Sequence, residues 1–350
     1  MGRSPGLVDV ARIAGVSHMT VSRVLNGHPS VKEETRARVL AAVEQTGYRR
    51  NSIARALHGD LSGTIGVVLA GEELHELSKV LRGVESAARS AGYWVNLAAW
   101  HGGTPEELAE TFNRLIDQSV EGIALIADRP LAADALHRVQ ARVPVAVVMS
   151  GEVDNERLGS VEIDQVAGAR MLTTHLLQLG HRRIAHLSGP ARVYDARARV
   201  RGWQEELARA GVRRTTPLEG DFTADSGYEL TRRLLTRARM PSAIFAGNDH
   251  MAIGVLAALH EAGVRVPDDV SLVGFDDAPA VTHLVPPLTT VRQDFTSLGA
   301  SVVEVLMAML GGGTPEHRRL TPQLIERSST AHPPLPQPDR AVRLRETHHA

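Results

Sequence analysis

No cysteine occurs in the 350 residues, which excludes disulfides, thiolate nucleophiles and cysteine-ligated zinc. Long apolar runs are missing as well. The longest, such as 144–149, are strand-length and far short of the roughly 18 residues of a membrane span. The opening stretch MGRSPGLVDVARIAG holds no apolar signal region, so the cytoplasm is the expected compartment. Lysine is nearly absent: Lys32 and Lys79 are the only two, and arginine supplies the rest of the basic charge. Net charge is scarce too, at -1, which by itself speaks against a partner rich in phosphate.

The distribution of charge alters that reading. Residues 1–60 carry nine basic groups against five acidic ones, a net +4, so the remainder must be about -5. A basic head on a mildly acidic body fits a nucleic-acid-binding module joined to something else. With 43% apolar residues the chain has material for more than one core.

The head reads as three short helices. Residues 7–14 form the first, stopped by Gly15. Ser17 caps a second running to about Asn26, with Val21, Val24 and Leu25 on one face and His18, Met19, Ser22 and Arg23 on the other. Ser30 and Glu33 are spaced as a capping box for a third helix, with Val39, Leu40 and Val43 inward and Gly47 as its stop. From Gly63 the pattern changes to alternating strands and helices. Strands are expected at 64–69, 93–98, 122–127, 145–149, 160–163, 184–188, 243–246, 271–275 and 290–292. Continuous apolar strands mark parallel sheets covered on both faces, and some 270 residues of this pattern make two doubly wound lobes. The tail, 331–350, is rich in proline and charge and is expected to be disordered.

A short helix with polar residues at its start, following a tight turn, is how a helix-turn-helix offers side chains to base edges. The residues so placed are Ser17, His18, Met19 and Arg23: Arg23 suits guanine O6 and N7, Met19 a thymine methyl, and His18 a base or a phosphate, while Thr20, Ser22 and Asn26 suit phosphates. The same polar face would occur on any solvated three-helix bundle, so spacing alone leaves both readings open.

The run Leu7-Val-Asp-Val-Ala-Arg-Ile-Ala-Gly-Val-Ser-His-Met-Thr-Val-Ser-Arg-Val-Leu-Asn26, with Gly47-Tyr48 and Asn51 after it, resembles the head of the lac repressor (LacI/GalR) family. Leu179-Gly-His-Arg-Arg-Ile184, Gly247-Asn-Asp249, Gly274-Phe-Asp-Asp277 and Pro286-Pro-Leu-Thr-Thr-Val-Arg-Gln-Asp-Phe295 carry the resemblance on to about residue 330. It implies a helix-turn-helix head (1–48), a hinge helix or linker (49–61), a two-lobed ligand-binding and dimerisation core like the periplasmic binding proteins (62–330), and the tail. In the hinge, Asn51, Ala54 and Leu57 match residues that meet DNA, with Leu57 as a wedge at a minor-groove step. The implied function is a sequence-specific repressor, a homodimer on a near-palindromic operator, with no cofactor and no enzymatic activity. A small effector, a sugar, would control its grip.

A sugar calls for paired hydrogen-bonding groups and an apolar wall, placed at the carboxyl ends of strands. The resemblance puts the effector positions on Arg199, Phe222, Asn248, Asp276, Gln293 and Phe295, with Leu74, Leu77 and Val80 as an apolar rim from the first lobe. Blander roles exist: Asn248 could merely turn a strand into a helix, Asp276 could cap one, and the phenylalanines could be core. Met149 stands where the pattern has a sugar-binding aspartate, Val193 and Asp195 where it has serines, and Phe222 where it has a tryptophan. His18 and Met19 replace a Tyr-Gln pair. These departures predict a different effector and a different operator. The segment 331–350 has two leucines and four prolines, too few for a tetramer-forming leucine repeat. The rival readings are a purine-type corepressor switch, a transport-linked solute-binding protein and an enzyme of doubly wound fold. No zinc-type histidine spacing, phosphate-binding loop or nucleophile elbow supports the last.

Overall fold

The computed structural model describes residues 5–25, 28–48, 62–70, 77–100, 104–127, 142–151, 155–213 and 215–334. The chain divides into two compact units, 1–62 and 63–350.

Among its described residues the first unit holds three helices: α1 (Leu7–Ala14), α2 (His18–Leu25) and α3 (Glu33–Thr46). Gly15 and Gly47 end α1 and α3 in the left-handed conformation, both at φ 65°, where a side chain would be strained. Ser17 accepts the Thr20 amide at 3.1 Å and so caps α2. Val10, Ala14, Val21, Val24, Val39 and Ala42 form the small core. Two local expectations fail here. Leu40 is 51% exposed, because it lies one residue and so about 100° off the stripe through Val39, Ala42 and Val43, and Ala42 takes the inner place. The Ser30–Glu33 capping box does not form. Lys32 is the N-cap, and the Ser30 amide and hydroxyl are both engaged with His28 Nδ1.

The second unit holds two parallel sheets. The first lobe has six strands in the order β11-β5-β4-β3-β1-β2: β1 (Thr64–Ala70), β2 (Trp94–Trp100), β3 (Gly122–Ala127), β4 (Val145–Val148), β5 (Leu158–Ile163) and β11 (His317–Leu320). Every pairing is parallel, and β3 and β4 are buried throughout, so their apolar runs need cover on both faces. Helix α5 (Pro105–Asp117) covers one face through Leu108, Phe112 and Leu115. Helices α4 (Leu77–Ser90) and α10 (Phe295–Leu310) cover the other, and they approach closely because Gly83 and Gly299 each lie against the partner helix's backbone.

The second lobe has four strands in the order β7-β6-β8-β9: β6 (Ile184–Ser188), β7 (Leu218–Glu219), β8 (Ala243–Ala246) and β9 (Ser271–Val273). Helices α6 (Gln165–Gln178) and α7 (Tyr194–Arg209) pack on one face, and α8 (Ala224–Leu235) with α9 (Asp249–Glu261) on the other. An antiparallel ribbon of β10 (Thr290–Arg292) and β12 (Gln323–Ile325) completes it. The chain passes between lobes three times: from β5 to α6, from β10 to α10, and from β11 to β12.

All nine expected strands are present with small shifts of boundary, and the expected doubly wound pair of lobes is the observed architecture. β7, β11 and β12 were not expected, being two to four residues long and lacking a strand-like pattern. Of the segment expected to be a disordered tail, residues 331–334 are placed, and 335–350 lie outside the described residues. Ala331 is held by His181 and Ser271, and His332 Nδ1 bonds the Leu179 carbonyl.

Candidate functional sites

On the head, α2 buries Val21 and Val24 and turns His18, Met19 and Arg23 outward. Met19 is 57% exposed. No acidic residue stands in the first turn of α2, so its positive end is left open to an anion. Ser17 and Thr20 bond each other at 2.9 Å and are half occupied with capping. Ser22 is half-buried. Asn26, Asn51, Ala54 and Leu57 lie outside the described residues.

The second lobe presents the opposite arrangement. Arg199 on α7, only 4% exposed, lays its guanidinium 3.9 Å from the ring centre of Phe275 and 5.6 Å from that of Phe222. Its Nε donates to Gln165 Oε1 at 2.9 Å, its Nη1 to the Gly247 carbonyl at 2.6 Å, and its Nη2 to Asp276 Oδ1 at 3.4 Å. Asp195, one turn earlier, stands 3.7 Å from Nη2. Asp276 also accepts Gln293 Nε2 at 2.7 Å. Its backbone, at φ 109°, is forced into a region costly for a residue with a side chain.

Two braces hold that strained turn. Asp277 accepts Arg292 at 2.7 Å and Arg327 at 2.6 Å. Burial raises the Asp277 carboxyl, but these two arginines outweigh burial and keep it below the ordinary range. Asp249 accepts the Ala278 amide at 2.8 Å and the Thr290 hydroxyl at 2.7 Å. Burial, then the charge of Asp276, push Asp249 up to about 8. Beneath the site His186 is wholly buried, donates Nδ1–H to the Phe245 carbonyl and packs at a tilt against Phe245 with 4.3 Å between ring centres. Burial, with a contribution from Arg199, lowers it to about 4.

Of the expected effector residues, Arg199, Asp276 and Gln293 come together. Asn248 instead caps α9 through Met251 N–H and holds the Phe222 carbonyl at 3.1 Å, so it does what the bland reading assigned it and positions Phe222 as well. Asp276 caps no helix. Phe222 is half-buried at φ 72°, and its ring fills the space over Gly189 that a Cβ there would need. Phe295 begins α10 and packs on the first-lobe core, its ring 5.9 Å from Lys79 Nζ. Val80 is not on a rim: it is 5% exposed and belongs to the first-lobe core, where its carbonyl abuts Gly299. Leu74 lies outside the described residues, and so does the side chain of Leu77. Sequence reasoning missed Gln165 and the Gly247 carbonyl, and singled out Asp195 only as a departure from the family pattern. Gln165 had one signal, its place just past the carboxyl end of β5.

Among the described residues no helix is long and apolar enough to cross a membrane, and no group of three His, Asp or Glu could hold a metal ion.

Two family models match the chain: bacterial regulatory proteins of the lacI family over residues 6–51, and the periplasmic binding protein-like domain over residues 173–330. The lactose operon repressor of Escherichia coli (strain K12) is 35% identical over 329 residues, 93% of this chain and 91% of the relative. The ribose operon repressor of the same organism is 32% identical over 327 residues, covering 92% and 98%. A crystal structure of the lac repressor dimer bound to operator and the anti-inducer ONPF superposes with a TM-score of 0.85 at 32% identity, over 94% of this chain and all of that one.

Proposed function

Because the chain belongs to the lacI family of bacterial regulatory proteins, we propose that it represses transcription from a near-palindromic operator and that a small sugar releases it. It is a regulator, not an enzyme. In this reading two chains pair as a homodimer in the cytoplasm, and each α2 enters the major groove of one half-site. Arg23 reads guanine, Met19 packs on a thymine methyl, and the start of α2 takes a phosphate. Asn51, Ala54 and Leu57 of the hinge segment meet the minor groove between the half-sites.

The observation that carries the effector reading is the Arg199–Asp276 pair. A guanidinium and a carboxylate side by side, with Gln293 added, form the donor and acceptor set that adjacent sugar hydroxyls need. Phe222 supplies the apolar wall. An effector that binds better to the lobe arrangement incompatible with operator must weaken operator binding, and operator must weaken effector binding by the same factor.

The test is a thermal-shift screen of mono- and disaccharides and purines, followed by operator titration, on a duplex selected from random sequence, with each compound that raises the melting temperature. A sugar that stabilises the protein and lowers operator affinity is the expected result. A purine that raises operator affinity, or no effect of any sugar, would overturn it.

A further inference from the structure

We infer that Gln165 is a positioning residue that ties two of the three crossovers between the lobes to the effector arginine. Gln165 stands at the first crossover, immediately after β5, where Asp164 caps α6 by accepting the Ala167 amide at 2.8 Å. Gln293 stands at the second, between β10 and α10. Both side chains are buried, and Gln165 Nε2 donates to Gln293 Oε1 at 2.6 Å.

The four side chains close a ring. Arg199 donates to Gln165, Gln165 to Gln293, Gln293 to Asp276, and Arg199 to Asp276. Neither amide can be turned over. Guanidinium N–H only donates, so Gln165 must face it with its oxygen. That leaves Gln165 its nitrogen for Gln293, and Gln293 its nitrogen for the carboxylate. Each bond runs in one sense from cation to anion, so the two amides polarise each other in the direction that strengthens both. A one-way relay of this kind cannot lose a member at either end without loosening the rest.

Its ends are the two groups that a sugar would engage. A ligand that takes hydrogen bonds from Arg199 or Asp276 withdraws them from Gln165 and Gln293. The pin between the two crossovers then slackens, and the angle between the lobes changes. This deepens the proposed function, since it says how occupancy of that site reaches the hinge. The pin is testable without effector or operator, so its failure is distinct from failure of the sugar reading.

The absence of native cysteine makes the measurement direct. Asn113→Cys on α5 and Ala208→Cys on α7, both exposed and one in each lobe, carry spin labels in full-length chains diluted with unlabelled chain. The interlobe distance distribution is then compared between the native sequence, Gln165→Leu, Gln165→Glu and the control Thr231→Val. The control removes a buried hydroxyl, bonded to the Gly227 carbonyl, elsewhere in the second lobe. Gln165→Glu still accepts from Arg199 but cannot donate to Gln293, and it decides the matter if the leucine variant does not fold. The expected result is a broadened and shifted distribution in both Gln165 variants and none in Thr231→Val. Distributions that coincide with the native one, or an equal broadening in Thr231→Val, would overturn the inference.

Discussion

The polar face of α2 and the polar ring of the second lobe hold similar side chains in opposite states. Arg23 lies in water, on a helix of eight residues whose core is a handful of valines and alanines. Arg199 is buried, and each of its three guanidinium nitrogens has an acceptor within 3.4 Å. An exposed arginine contributes little to folding and keeps its hydrogen bonds for a partner. A buried one is part of the fold, and a ligand reaches it only by exchanging one set of hydrogen bonds for another. The head can therefore act by simple docking, whereas the core must rearrange to bind.

Substitutions at the two arginines sharpen this contrast most. Arg199→Ala takes the cationic partner away from the buried Asp276 and should destabilise the core by about 3–5 kcal/mol in urea unfolding, while removing any effector response. A loss under about 1 kcal/mol would mean that Asp276 is hydrated and the contrast is wrong. Arg23→Ala should leave the unfolding midpoint where it is and weaken operator binding by about 1–3 kcal/mol, relaxing the preference at one base pair, as read by anisotropy. Val80→Ala removes about two buried methylene equivalents and should lower stability by roughly 1.5–2.5 kcal/mol without altering effector affinity. An effect on affinity alone would return Val80 to the pocket rim.

The smallest effect at neutral pH belongs to His186. Its folded value, about 4, lies below the ordinary 6.5, so the unfolded chain binds the extra proton first as pH falls. Stability that is complete above pH 6.5 should drain away towards pH 4. His186→Leu should flatten that limb of the stability profile. Asp249, raised to about 8, acts with the opposite sign: its contribution is complete below the ordinary carboxylate value and is lost as pH rises towards 8. Asp249→Asn should abolish that loss with rising pH, as followed by unfolding at a series of pH values.

The architecture was legible because strand-length apolar runs such as 123–126 between polar segments mark strands buried on both faces. The ribbon strands were not legible. Gln323–Ile325 pairs with β10 because the chain returns there, which no local pattern announces. In the head, Leu40 is apolar and yet faces solvent, because its angle on the helix and not its residue type decides its side. Of the effector set, the sequence pattern singled out Arg199, Asp276 and Gln293, which come together, and Val80, which does not. Gln165, whose place just past β5 was its one signal, was hard to read for a physical reason: a glutamine is ordinarily a surface residue, and only burial against Arg199 and Gln293 gives it a role.

The most direct measurement is operator affinity, by fluorescence anisotropy, with and without the sugar that stabilises the protein most, in the native chain and in Arg199→Lys, which keeps the charge but not the guanidinium fork. Effector recognition by the Arg199 fork requires that sugar lower operator affinity in the native chain and change it little in Arg199→Lys, each compared with the same protein without sugar. An equal response of the two proteins to the sugar would place effector recognition elsewhere and contradict it.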